Sequence, residues 1–205
     1  MRLYFLRHAI AVEREQWDGP DGERPLTGEG RAQFETCARG VAALDLGLDA
    51  IFTSPFTRAL DTARIVGAAL EKEVAVWPEL ASGCDLERLA PRLAELSEAR
   101  AVMLVGHEPD FSAMIGRLIG GGGAGASLAL KKGGCCRVDV PRKAIRSGDR
   151  RRLTGAGELS WLLTPAQLAR IAPPARTMAQ TSHRGPAARK NGLTPRVEGS
   201  PADES

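Results

Sequence analysis

The sequence predicts an α/β domain of three layers, with a mostly parallel central sheet covered by helices on both faces. Three observations carry this expectation. Short runs that are apolar at every position, such as Leu3-Tyr-Phe-Leu6 and Ala101-Val-Met-Leu-Val105, are what strands buried on both faces require. Between them lie stretches with apolar residues at three- and four-residue spacing, the mark of amphipathic helices. Strand and helix then alternate four times, the pattern of parallel strands joined by crossover helices.

The first strand, residues 3–6, delivers Arg7 and His8 to its carboxyl end, the edge at which open α/β sheets bind ligands. A polar loop rich in Asp, Glu and Gly follows over 13–24 and ends in Arg24-Pro25-Leu26-Thr27. Thr27 suits an N-cap, and Phe34, Cys37, Ala38, Val41 and Leu44 line one face of the helix after it, which ends near 45–47. A second strand occupies Ala50–Thr53. Ser54-Pro55 reads as a helix start, a capping hydroxyl with a proline at the first helical position. That helix has Phe56, Ala59, Ala63, Val66 and Leu70 on one face and Arg58 in its first turn, near the positive end of the helix dipole, where anions are favoured.

A short third strand spans 74–77 and a loop 78–83. Residues 85–97 read as a helix with Leu86, Leu89, Leu93 and Leu96 inward, in which Pro91 must sit early or introduce a kink. The strand 101–105 leads to Gly106 and His107, and Glu108-Pro109-Asp110 starts a helix that buries Phe111, Met114, Ile115 and Leu118. The run 120–125 matches G-x-G-x-x-G, but it follows a helix where a dinucleotide fingerprint needs a strand, so it reads as a flexible connection. Alternation over 134–140 and an apolar run over 158–163 predict late strands and an antiparallel edge strand.

Composition narrows the function. The chain has 205 residues, 43% of them hydrophobic, enough for one domain with a sizeable core. A formal charge of +3 is too small to argue for nucleic acid, and aromatics at 4% leave no stacking platform interleaved with cations. No apolar run approaches the roughly 18 residues of a membrane span, and the start has a charge where a signal peptide needs an apolar core. A cytoplasmic protein with no membrane association is therefore expected. Cys37, Cys84, Cys135 and Cys136 form no C-x-x-C pair and no metal-ligand spacing with histidine, so neither disulfide, metal nor other cofactor is expected. Cys37 belongs to a core face, and adjacent Cys135 and Cys136 are expected on a strand that exposes one and buries the other.

Two of only three histidines, His8 and His107, fall at the ends of predicted core strands, one beside an arginine. Either alone is compatible with a hydrogen-bonded structural histidine; together they favour a site. A neutral imidazole is a good attacker of a phosphoryl group, whose negative charge repels anionic nucleophiles, and it leaves a phosphohistidine that water can hydrolyse. Positioned cations and donors stabilise the transition state, and arginine forks suit phosphate oxygens.

These residues carry a resemblance. Leu6-Arg7-His8-Ala9 resembles the Arg-His-Gly signature of the histidine phosphatase, or phosphoglycerate mutase-like, superfamily, with Ala9 in the usual glycine place and ordinary backbone angles therefore expected there. Ser54-Pro-Phe-Thr-Arg58-Ala-Leu-Asp-Thr62-Ala is similar to its Ser-Pro-x-x-Arg-Ala-x-x-Thr motif, and Val105-Gly-His107 resembles its third. Arg24-Pro-Leu-Thr27 and the short path from Ser54 to His107, which leaves no room for a helical cap, resemble the SixA-type branch of phosphohistidine phosphatases. The likeness covers residues 1 to about 168. It implies His8 as nucleophile, Arg7, Arg58 and His107 as the phosphate pocket, Arg24 as a further phosphate contact, and Glu79 as a proton donor. The implied substrate is phosphohistidine on a protein, such as a phosphotransfer domain. A small phosphoester is the alternative. A phosphoprotein-binding module without turnover is a third reading, against which the presence of both arginines and both histidines argues.

The expected domain spans 1–170. Residues 171–205 hold five of the thirteen prolines and few sizeable apolar side chains, and are expected to form a disordered C-terminal tail. A chain truncated after residue 172 should keep its melting temperature and its catalysis; a large drop in melting temperature would show that the tail packs.

Overall fold

In the computed structural model, six strands form one sheet in the order β3-β2-β4-β1-β5-β6. The structure describes residues 1–120 and 127–174; most of the glycine run 120–125 and most of the tail 171–205 lie outside them. The strands are β1 (Arg2–Arg7), β2 (Ala50–Thr53), β3 (Val74–Val76), β4 (Ala101–Gly106), β5 (Cys135–Asp139) and β6 (Glu158–Leu163). The β1, β2, β3 and β4 strands are mutually parallel, whereas β5 pairs antiparallel with β1 and with the edge strand β6. The helices are α1 (Gly28–Ala43), α2 (Thr57–Leu70), α3 (Leu86–Glu95), α4 (Asp110–Ile119), α5 (Arg142–Arg146), α6 (Arg150–Leu153) and α7 (Pro165–Ile171).

The three-layer expectation holds. On one face Tyr4, Leu6, Ile51, Met103, Val105 and Cys135 pack with Phe34 and Val41 of α1, Val66 of α2 and Leu168 of α7. On the other face Leu3, Phe5, Val102, Leu104, Cys136 and Val138 pack with Leu89 of α3, Met114 of α4 and Ile145 of α5. The apolar run of β4 is buried from end to end, as a central strand covered on both faces must be. Between β2 and β4 the chain forms only α2, β3, a 3₁₀ turn at Pro78–Leu80 and α3, so this connection places no helical cap over the sheet edge. Among the described residues no helix is long and apolar enough to cross a membrane.

Local chemistry accounts for several helix starts. Thr27 caps α1, its Oγ1 accepting from the Gly30 N–H at 2.8 Å. Asp85 caps α3 through the Arg88 N–H at 3.0 Å, and Thr164 with Gln167 forms a capping box on α7. Ala9 is absent from the residues with positive φ, as an alanine in the glycine place requires.

Three details depart from expectation. Helix α2 starts at Thr57, not at Ser54-Pro55, because the Ser54 hydroxyl accepts from the Phe56 N–H at 3.2 Å in a turn ahead of the helix. Pro91 lies inside α3, where it removes one bond of the ladder without ending the helix. Cys135 and Cys136 are both fully buried, since β5 is an interior strand covered on both faces and neither side of it meets solvent.

Helix α7 fastens the end of the described fold by lying very close to α1. A Cβ added to Gly40 would stand 1.9 Å from the Leu168 carbonyl oxygen, whereas one on Gly28 would meet nothing within 4 Å. Gly40→Ala should therefore destabilise the protein by about 1–3 kcal/mol through enforced separation of α1 and α7. Gly28→Ala should be neutral or stabilising by less than about 1 kcal/mol, since the unfolded chain loses freedom and nothing clashes. Thermal melts of the two variants check the contrast.

Candidate active site

The site begins with register. Strands β1 and β4 are parallel neighbours with Arg7 opposite Gly106, so the next residue on each, His8 and His107, emerges at the same carboxyl edge. Their ring centroids are 5.3 Å apart. Strand β2 pairs with the other side of β4, Thr53 opposite Val105, and delivers Ser54 beside them. The α2 helix then starts at the same edge and carries Arg58 in its first turn. Four residues from three separate motifs, Arg7, His8, Arg58 and His107, are thereby brought together.

His8 is only 6% exposed, and its Nδ1 lies 2.7 Å from the Ala9 carbonyl oxygen. A carbonyl only accepts, so Nδ1 carries the hydrogen, and the neutral ring keeps its lone pair on Nε2. Burial lowers the His8 pKa to about 3, helped by the positive field of His107, Arg58 and Arg7 and opposed by the bond to Ala9. The ring is thus a neutral imidazole with one uncommitted nucleophilic nitrogen. The loop that holds it is tied to α2: the Ala9 N–H donates to Thr62 Oγ1 at 3.0 Å, and that hydroxyl donates to the Arg58 carbonyl at 2.7 Å.

Around His8 stand three side chains that each keep, among the described residues, one buried nitrogen without a partner. Arg7 gives one hydrogen bond, Nη1 to the Leu130 carbonyl at 2.8 Å, and its buried Nε has no partner. Arg58, 4% exposed, gives both terminal nitrogens to Asp21, to the carbonyl at 2.8 Å and to Oδ2 at 3.0 Å, which leaves its buried Nε unpaired. His107 has Nε2 2.7 Å from Ser54 Oγ and an unpaired buried Nδ1. Burial also lowers the His107 pKa to about 3, with Arg58 the leading charge. Buried polar nitrogens are normally satisfied, at a cost of about 1–3 kcal/mol each when they are not. Three such nitrogens beside one nucleophilic imidazole describe a receptor for a compact anion rich in acceptors.

Asp21 was not foreseen. From a 3₁₀ turn at Asp21–Glu23 it bridges Arg58 and Arg24, whose Nε donates to Oδ1 at 2.9 Å while Nη1 donates to the Val12 carbonyl at 2.6 Å. Burial opposes its ionisation, but the hydrogen bond from Arg24 and the charge of Arg58 outweigh this and hold the carboxyl below its ordinary value. The available signal was physical: a buried arginine needs a counter-charge, and the loop 13–24 was the nearby supply of carboxylates. Arg24 therefore joins the cluster through Asp21. Glu79 sits in the 3₁₀ turn after β3, with Oε1 3.4 Å from Arg92 Nε and Oε2 buried without a partner. Its polar contact is with Arg92, itself over the Trp77 ring at 4.8 Å, and not with the arginines of the pocket.

The two histidines set a pH dependence of folding. Each has a folded pKa near 3 against an ordinary 6.5, so between those values the unfolded chain takes up a proton that the folded chain refuses. Their stabilising contribution is complete above pH 6.5 and falls as pH drops toward 3, by at most about 1.4 kcal/mol per pH unit for each histidine. His107→Asn should accordingly flatten the fall in melting temperature between about pH 7 and pH 4, measured by calorimetry, relative to the parent.

Comparisons with known proteins bear on the family and the fold. A sequence model of the histidine phosphatase superfamily (branch 1) matches residues 3–89. An uncharacterized protein of Picosynechococcus sp. is 38% identical over 174 residues, which cover 80% of this chain and 99% of that protein. Among solved structures, the fold is similar to the protein histidine phosphatase SixA complexed with tungstate, with a TM-score of 0.67 and 23% identity over 82% of this chain and 99% of that one. It is also similar to a mycobacterial glucosyl-3-phosphoglycerate phosphatase, with a TM-score of 0.61 and 18% identity over 80% of this chain and 99% of that one. The alpha-ribazole phosphatase of Shigella flexneri gives a TM-score of 0.56 and 20% identity over 70% of this chain and 92% of that one. With its motifs assembled at one sheet edge and a family model matched across the first two of them, the chain belongs to the histidine phosphatase superfamily.

Proposed function

We propose that this phosphatase removes the phosphoryl group from phosphohistidine on a protein, of the phosphotransfer-domain type, through a phosphohistidine formed on His8. The observation that carries the chemistry is the set of three unpaired buried nitrogens, Arg7 Nε, Arg58 Nε and His107 Nδ1, beside the free Nε2 of His8. In the first step His8 Nε2 bonds to phosphorus as the phosphorus–nitrogen bond of the substrate breaks and a neutral imidazole departs. Charge on the phosphoryl oxygens is met by the two guanidinium groups and the His107 donor. Water then attacks the phosphorus on His8, releasing inorganic phosphate and restoring the imidazole.

Two features support a protein substrate. Among the described residues no helical cap covers the site, which suits a bulky partner at the sheet edge, and the fold is similar to that of SixA, a protein histidine phosphatase. The second reading, a small phosphoester, is favoured by likeness to phosphatases of alpha-ribazole and glucosyl-3-phosphoglycerate. Glu79 separates the two readings. An alkyl ester leaves as a basic alkoxide and needs a general acid, whereas phosphohistidine protonated on its free ring nitrogen leaves without one.

Purified protein should dephosphorylate a phosphohistidine-bearing phosphotransfer domain with a higher kcat/KM than any member of a small-phosphoester panel. His8→Ala should abolish turnover, and His107→Ala should lower it about a hundred- to a thousandfold, the cost of one oxyanion-type donor. Glu79→Gln should barely change phosphohistidine turnover. A loss of about a hundredfold or more there would restore Glu79 as general acid and favour the ester reading.

A further inference from the structure

We propose that Ser54 is a positioning residue: its hydroxyl donates to Nε2 of His107 and thereby holds that ring as the neutral tautomer whose hydrogen sits on Nδ1, ready for a phosphoryl oxygen. The proposal rests on the phosphate-pocket reading of the site. It follows from an account of a few hydrogens. Ser54 is fully buried and His107 is 2% exposed, so neither group can turn to bulk water. Ser54 Oγ already accepts the Phe56 N–H at 3.2 Å and lies 2.7 Å from His107 Nε2. The hydroxyl owns one hydrogen, and of the two groups it meets among the described residues, the Phe56 N–H and the imidazole, only the imidazole nitrogen is able to receive it.

The opposite assignment fails twice. With the hydrogen on Nε2, the serine oxygen would accept two bonds while its own hydrogen had no acceptor in a buried place. Nδ1 would then present a lone pair to an anionic oxygen, a repulsion where the pocket needs attraction. With the hydrogen on Nδ1 both faults vanish, and the unpaired buried nitrogen becomes a donor awaiting its acceptor. A doubly protonated ring is disfavoured by its burial and by the charges of Arg58, Arg24 and Arg7, against the smaller opposing charge of Asp21.

The ring is flanked by two others, 5.3 Å from the His8 ring and 5.1 Å from the Phe56 ring, centroid to centroid. Ser54 is itself anchored, its N–H donating to the Val105 carbonyl at 3.0 Å. The two histidines then share one tautomer and put it to opposite uses. His8, fixed by the Ala9 carbonyl, offers the lone pair of Nε2, whereas His107, fixed by the Ser54 hydroxyl, offers the hydrogen of Nδ1.

Long-range 1H–15N correlation spectra of the full chain labelled in histidine test this near neutral pH, with His107 assigned by the loss of its signals in His107→Gln. Protonated Nδ1 and unprotonated Nε2 on His107 in the parent protein are the expected result; a proton on Nε2 overturns the proposal with no variant needed. Ser54→Ala should yield a tautomer mixture at His107 with His8 unchanged. It should also lower kcat on p-nitrophenyl phosphate about ten- to a hundredfold, the range for loss of a group that orients a ligand, with KM little altered. Ser54→Thr, which keeps the hydroxyl, should recover the parent tautomer. Unchanged tautomer and kcat in Ser54→Ala would refute the role of Ser54. Orthovanadate should shift the His107 Nδ1–H resonance; if it moves neither histidine, the pocket reading itself fails, and the donor role falls with it.

Discussion

The pairing of β1 with β4, parallel and with Arg7 opposite Gly106, is the constraint on which the rest of the site depends. These strands are almost a hundred residues apart in sequence, and a parallel neighbour can be reached only by crossover connections. The chain goes out through α1, β2, α2, β3 and α3 before it returns as β4 between β2 and β1. A slip of one residue in that register would send every β4 side chain to the opposite face. It would place the wrong residue beside His8. The apolar faces prevent it, since Val102 and Leu104 belong to one core and Met103 and Val105 to the other.

On this frame the site is held in a state of deliberate dissatisfaction. Arg7, Arg58 and His107 each make some of their possible hydrogen bonds, to Leu130, Asp21 and Ser54, and each keeps a buried nitrogen without a partner among the described residues. The partial bonds hold the side chains in place, and the missing ones define what has to arrive. Asp21 belongs to this balance. It supplies the counter-charge that lets Arg58 stay buried, and it connects Arg24 to the same network, so the loop before α1 is bound electrostatically to the head of α2. The low pKa of both histidines has the same origin, because burial first, and the neighbouring positive charges after it, favour neutral rings.

Local sequence signals located most of the scaffold because they act over a few residues. Thr27 caps α1 through a bond that reaches three residues ahead, and that cap was legible in the sequence; Asp85 and Thr164 cap α3 and α7 in the same way, although α7 itself was not expected. Ser54-Pro55 misled for the same reason. The pair has the local chemistry of a helix start, but the serine side chain is engaged by the Phe56 N–H and by His107, a group 53 residues away, and the helix begins later. Cys135 and Cys136 show a similar limit. Alternation on a strand says that two neighbours face opposite ways, and only the partners on each side say whether either way leads to solvent.

The sequence by itself indicated the six strands and the first four helices, and it singled out Arg7, His8, Arg58 and His107 as a candidate site, because strand ends, helix starts and side-chain identity are local properties; it did not indicate α5, α6 or α7. Only the tertiary structure decided that Asp21 neutralises Arg58, that Arg24 reaches the cluster through it, that Glu79 is paired with Arg92, and which nitrogen of each histidine is uncommitted. Those outcomes depend on which groups from distant segments approach within about 3 Å, the range of a hydrogen bond. Distance in space between segments is settled by the packing of two cores against one sheet, and no run of neighbouring residues encodes it alone.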